Sequence, residues 1–145
     1  MKIALLGYGV EAQSAHNYFK KLHPEASFVV YDNAPTPKNS LPDDVEFRGG
    51  VSDFHDIDAD LVIRTPAIAP SRINSRGRIS SVTKEFFDVC PVPIIGVSGT
   101  KGKGTTASLI AAILQKAGIK TWLVGNIGLA ALDVIDEIQQ TGEGV

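Results

Sequence analysis

Ile3-Ala4-Leu5-Leu6-Gly7-Tyr8-Gly9-Val10-Glu11-Ala12 sets a four-residue apolar run directly against two glycines and the start of a helical pattern. An apolar run of that length, broken by glycine, predicts a buried strand rather than a signal peptide. The Gly-x-Gly-x-x-Ala spacing predicts a strand–turn–helix unit whose glycines let the backbone approach a phosphate, while the helix N-terminus offers unpaired N–H groups. Downstream, Ala15, Tyr18, Phe19 and Leu22 recur at helical spacing, and Pro24 ends the helix just after His23. The next apolar run, Phe28 to Tyr31, leads into Asp32, at the spacing where an acidic residue would meet a ribose hydroxyl. A parallel βαβ unit with a right-handed crossover follows. The ligand stays open at this point. Such a turn can serve only to pack a helix on a strand, and the Glu11 carboxylate would repel a pyrophosphate unless it points away.

Further short apolar runs lie at Leu61 to Ile63, Ile94 to Val97 and Trp122 to Val124, separated by helical or loop segments, which predicts an α/β fold. The stretches 33–39 and 66–78 carry Pro, Ser, Asn and Gly and read as loops. A short helix is expected over 81–89, and Cys90-Pro91-Val92-Pro93 reads as a connector. The boundary between a Rossmann-like domain, 1–91, and a second domain, 92–145, is placed there. In the second, Thr106, Leu109, Ile110, Ile113, Leu114 and Ala117 form a helical stripe ending at Gly118, and a last helix is expected from about Leu129 to Gln140. Two strands and two helices make too small a core for a comfortable domain, so the second domain is expected to be cut short.

Hydrophobic residues make up 43% of the chain, charged residues 21%, and the net charge is -2. That balance gives no reason to expect nucleic acid as a partner. No apolar stretch reaches the roughly 20 residues needed to cross a bilayer, and the single Cys90 has no partner for an internal disulfide. A cytoplasmic monomer without membrane contact is the expectation. His16, His23 and His55 share no metal-ligand spacing, which points to surface or packing roles.

A second glycine loop, Gly99-Thr100-Lys101-Gly102-Lys103-Gly104-Thr105-Thr106, runs from the Ile94 to Val97 segment into the helical stripe. Its glycines would admit a phosphate, Lys103 would neutralise the β- and γ-phosphates, and a hydroxyl of Thr105 or Thr106 would hold Mg²⁺. The strict Walker pattern fails at both ends, with Val97 in place of its first glycine and Gly104 in place of its Ser/Thr.

This loop resembles the ATP loop of the Mur ligase and folylpolyglutamate synthase superfamily. About ninety residues precede it, as in the D-glutamate-adding Mur ligases, whereas folylpolyglutamate synthases place it near the N-terminus. Gly125-Asn126-Ile127-Gly128 and Thr65-Pro66-Ala67-Ile68 are similar to further motifs of the Mur ligases. The resemblance implies a uridine-nucleotide site contacted by Gly7, Gly9, Val10, Glu11, Asp32, Asn33, Thr65, Pro66 and Asn126. It also implies ATP bound by residues 99–106, with Lys103 catalytic and Thr105 on Mg²⁺.

The implied reaction joins D-glutamate to UDP-N-acetylmuramoyl-L-alanine through an acyl phosphate. Ala34 departs from the basic residue often found at its place, and Ala67 from a glycine. The family's remaining Mg²⁺ ligands and amino-acid-binding domain have no counterpart in this sequence, so the chain alone is expected to be inactive. A folylpolyglutamate synthase-like ligase, an NAD-binding regulatory module and a non-catalytic relic stand as alternatives.

Overall fold

Strand β1 (Lys2–Leu6) is apolar at four consecutive positions because both its faces are covered. In the computed structural model, which describes residues 1–145, it lies between β2 (Ser27–Tyr31) and β5 (Leu61–Arg64), parallel to both. β3 (Val45–Arg48) pairs outside β2 and β7 (Arg78–Ser81) outside β5, giving an all-parallel sheet in the order β3-β2-β1-β5-β7. The chain therefore builds outward from β1 on one side and then on the other, which makes β1 the switch point of the sheet.

The two faces are covered differently. Helix α1 (Val10–Leu22) buries Ala12, Ala15, His16 and Phe19, and it packs on β1 and β5. Leu22, expected in its buried stripe, is exposed at the helix end. On the opposite face, Ala4, Leu6, Val29, Tyr31 and Val62 form a core with Phe54, Ile57 and Ile73. Those last three come from β4 (Phe54–Ile57) and β6 (Ile73–Ser75), a separate parallel pair.

A doubly wound sheet carries helices on both faces, and this second face departs from that pattern. Gly49, Gly50, Pro66, Pro70 and Gly77 interrupt the two crossovers that could have supplied helices there. The segment 66–78 is accordingly not a plain loop: it holds a single 3-10 turn (Pro70–Arg72) and β6, and delivers the chain to β7.

Gly77 turns the chain into β7, and a Cβ there would run into the carbonyl oxygens of Ala59 and Asp60. Both are backbone atoms held by the sheet, since Arg78 N–H donates to Asp60 O at 3.0 Å. Gly77→Ala is thus expected to destabilise Met1–Glu85 by about 2–4 kcal/mol, within the range of overpacking at a rigid site. Thermal unfolding followed by circular dichroism checks this, and a midpoint within a degree of the parent would contradict the packing at Gly77.

Helix α2 (Val82–Val89) begins where Ser81 Oγ accepts the Lys84 N–H at 3.2 Å, an N-terminal cap. Its buried Glu85 takes both guanidinium nitrogens of Arg78, at 2.5 and 3.1 Å, and the Ser80 hydroxyl. The chain divides within this helix into two compact units, Met1–Glu85 and Phe86–Val145.

In the second unit, α3 (Lys103–Lys116) stops as glycine dictates. Gly118, at φ +81°, and Ile119 turn their N–H groups back to Gln115 O and Leu114 O. The final helical stretch is a 3-10 turn (Ala131–Val134) followed by α4 (Ile135–Thr141), not one helix from Leu129.

The strands expected at Ile94 to Val97 and Trp122 to Val124 do not form. The first is irregular, and Val124 makes only an isolated bridge to Leu129. Strand conformation needs a hydrogen-bonded neighbour, and two short segments alone are marginal. Ile95 is left 51% exposed, and Leu109 and Ile113 on α3 are 61% and 59% exposed. The helix thus carries apolar residues on a covered and an uncovered face.

Candidate functional site

Each unit presents one cluster of the residues singled out by sequence. In the first unit, Leu6 stands opposite Tyr31 and Arg64, so Gly7, Asp32 and Thr65 leave three adjacent strands at the same edge. Gly7 adopts φ +82°, a conformation that favours glycine, and its N–H donates to Tyr31 O at 2.7 Å. A Cβ on Gly7 would sit 3.5 Å from Thr65 Cγ2, so the glycine loop lies directly against Thr65.

The helical ladder of α1 begins with Gln13 N–H to Gly9 O, which leaves the N–H groups of Val10, Glu11 and Ala12 outside it. Asp32 Oδ1 accepts the Ala34 N–H at 2.9 Å, so one carboxylate oxygen is committed to its own turn. Asn33 and Pro66 are exposed. The Thr65-Pro66-Ala67-Ile68 turn closes through Ile68 N–H to Thr65 O, and Arg64 clasps it by donating to Ile68 O at 3.1 Å.

Sequence reasoning missed a second layer beneath this edge. The Tyr8 carbonyl accepts from Asn39 Nδ2 at 2.9 Å, and the Tyr8 hydroxyl lies 3.3 Å from His16 Nδ1. His16 packs edge-on against Phe28, with ring centroids 4.5 Å apart, and its Nε2 is 3.7 Å from Asp44 Oδ2. Lys20 pairs with the same Asp44 oxygen at 2.9 Å and holds that carboxyl below its ordinary range. Burial pushes the Tyr8 phenol up, and Asp44 adds to that. A histidine two turns into the helix that follows the glycine loop was the signal available in the sequence.

In the second unit, Gly102 caps α3 from the left-handed region at φ +76°. The first rung is Thr106 N–H to Gly102 O, so the N–H groups of Lys103, Gly104 and Thr105 lie outside the ladder. Gly99, Thr100, Lys101, Lys103, Thr105 and Thr106 are all exposed. Backbone donors, two ammonium groups and a hydroxyl at one helix start suit an anionic phosphate and a cation arriving with it.

Gly104 has a structural reason. A Cβ there would be 3.3 Å from Ile127 Cδ1, so the Gly125–Gly128 turn rests on the first turn of α3. Asn126 therefore belongs to this cluster, exposed beside α3 in the second unit. No group of three or more His, Cys, Asp or Glu side chains is placed to hold a metal ion. No helix is long and apolar enough to cross a membrane.

No family model matches the chain. Among curated proteins, it is 30% identical to the UDP-N-acetylmuramoylalanine–D-glutamate ligase of Acetivibrio thermocellus, over 99% of this chain and 33% of the relative. The ligase of the same name from Buchnera aphidicola is 31% identical, over 94% of this chain and 32% of the relative. That of Thermotoga maritima is 33% identical, over 94% and 34%. The chain spans about one third of the length of the relatives it matches.

Proposed function

We propose that this chain, homologous to the N-terminal portion of UDP-N-acetylmuramoylalanine–D-glutamate ligases, carries the uridine-nucleotide site and the ATP loop of such a ligase. The observation that carries the reading is the near-complete span of the match, which includes both glycine loops in their order.

In this reading Met1–Glu85 binds UDP-N-acetylmuramoyl-L-alanine. Gly7, Gly9, Val10 and Glu11 offer backbone N–H groups, and Asp32, Asn33, Thr65 and Pro66 form the facing walls. Residues 92–145 begin the ATP-binding domain. There the N–H groups at the start of α3 and the Lys103 ammonium bind phosphate oxygens and hold the terminal phosphoryl group in a fixed orientation. The Thr105 hydroxyl would be the chain's donor to Mg²⁺; Asn126, which the resemblance assigns to the uridine nucleotide, stands in the turn whose Ile127 meets Gly104 at the start of α3. ATP supplies the phosphoryl group that activates the substrate carboxylate for attack by the D-glutamate amine.

Titration of the chain with UDP, NAD and ATP, followed by calorimetry, tests the assignment. UDP is expected to bind and to displace NAD, and ATP to bind independently of UDP. NAD outcompeting UDP would favour a dinucleotide module instead, and the uridine reading would fall.

A further inference from the structure

The glycine loop 7–9 and the segment 33–44 leave neighbouring parallel strands, and two contacts tie them together. One is the Asn39 amide on the Tyr8 carbonyl. The other runs from the Tyr8 hydroxyl through the His16 ring toward Asp44. His16 is 4% exposed, and its Nε2 has no hydrogen-bond partner. Buried ring nitrogens are normally satisfied, so an unsatisfied one facing a carboxylate 3.7 Å away calls for an account.

We propose that His16 is a positioning residue: with Tyr8 and Asp44 it latches the 33–44 segment to the glycine loop, and the uridine nucleotide binds the latched form. This rests on the uridine reading above.

The proton positions follow from the groups present. A Tyr8 hydroxyl donating to His16 Nδ1 leaves the ring hydrogen on Nε2, aimed at the Asp44 carboxylate. At 3.7 Å that contact is too long for a hydrogen bond, and a closure of about half an ångström by the segment would make one. A ligand held between the glycine loop and Asp32-Asn33 would draw the segment in that direction. Binding and the Nε2–Asp44 bond would then strengthen each other.

The titratable and charged groups facing His16 are Tyr8 on the glycine loop, Lys20 on α1 and Asp44 before β3. Phe28, from β2, adds only an apolar ring. Burial, the largest influence, pushes the imidazole below its ordinary value. Asp44 opposes this and Lys20 reinforces it, and the net direction is down. The neutral ring is therefore the folded form. Its contribution to folding stability is complete above the ordinary value near pH 6.5 and is lost as pH falls through the depressed value, whereas a ligand that draws Asp44 onto Nε2 raises the imidazole and is linked to proton uptake.

Calorimetric titration of the chain with UDP-N-acetylmuramoyl-L-alanine at pH 7.5 and 5.5 tests this. The parent should bind about three- to tenfold more tightly at the lower pH, because an imidazolium donates more strongly to the Asp44 carboxylate that the ligand draws onto Nε2. His16→Gln, neutral throughout and still able to donate toward Asp44, should lose that dependence. A parent-like pH profile in His16→Gln would overturn the proposal. Asn39→Ala and Asp44→Ala alter exposed residues, so folding is not at stake, and their amide exchange needs no ligand. Both should speed exchange of the hydrogen-bonded Gly7 and Gln13 amides, which flank the loop, by about three- to tenfold. Unchanged exchange in both overturns the latch. Faster exchange in a chain that binds no UDP-sugar at either pH retains the latch and removes the uridine reading.

Discussion

Replacing Lys103 by alanine is expected to weaken ATP binding by this chain about ten- to a hundredfold, while affinity for UDP-N-acetylmuramoyl-L-alanine stays within about twofold. The estimate follows from a charge-assisted bond to phosphate, worth about 1.5–3 kcal/mol. Lys103 is the first residue of α3, exposed, and set on a left-handed glycine that turns the chain into the helix. In the proposed reading its ammonium and the free N–H groups beside it act on the same anion, so the loss should be larger than for Lys101, which precedes the helix. The uridine ligand is assigned to the strand edge of Met1–Glu85, which holds none of these groups. Calorimetry with both ligands on parent, Lys103→Ala and Lys101→Ala checks it. Equal losses for the two lysines would reduce Lys103 to one charge among several. No loss at all would remove it from the phosphate site.

What the sequence disclosed depended on how each strand is buried. β1, β2 and β5 lie in the middle of the sheet and read as unbroken apolar runs, so the centre of the first unit was legible. β3 is an edge strand whose Val45 and Phe47 alternate with exposed Glu46 and Arg48, a pattern invisible to a search for apolar runs. β4 and β6 are only four and three residues long, broken from helical form by proline and glycine nearby. Ile94 to Val97 failed in the other direction: the residues favour a strand, but no neighbouring strand is present to pair with it.

The same logic divides the site. Gly7, Asp32 and Thr65 were legible because each follows a central strand, and parallel register alone sets them side by side. The Tyr8, His16, Asn39 and Asp44 contacts were not, since Asn39 reaches Tyr8 across 31 positions by a loop path that no periodicity encodes.

The chain by itself is expected to release phosphate from ATP at less than about one thousandth of the rate of the Thermotoga maritima ligase, even with every substrate supplied. Fixing the terminal phosphoryl group is one part of transfer; a coordinated metal and an acceptor held in line supply much of the remaining rate enhancement. In the proposed reading the chain offers Mg²⁺ only threonine hydroxyls at the start of α3, with no group of three or more acidic, histidine or cysteine side chains placed to complete the coordination. Asp32, the acidic residue that ends a strand, spends one oxygen on the Ala34 N–H and belongs to the other unit.

The loop itself is also poorly supported. Residues 94–97 leading into it form no strand, and Ile95, Leu109 and Ile113 stay exposed, so local opening of 99–106 should cost little. A mobile phosphate loop loses the preorganisation on which electrostatic stabilisation depends. The measurement is phosphate release with UDP-N-acetylmuramoyl-L-alanine, D-glutamate, ATP and Mg²⁺, omitting each in turn. Release that required all of them, at a rate near the relative's, would mean that residues within 1–145 complete the metal site and position the acceptor, and that Lys103 and Thr105 are not its only members.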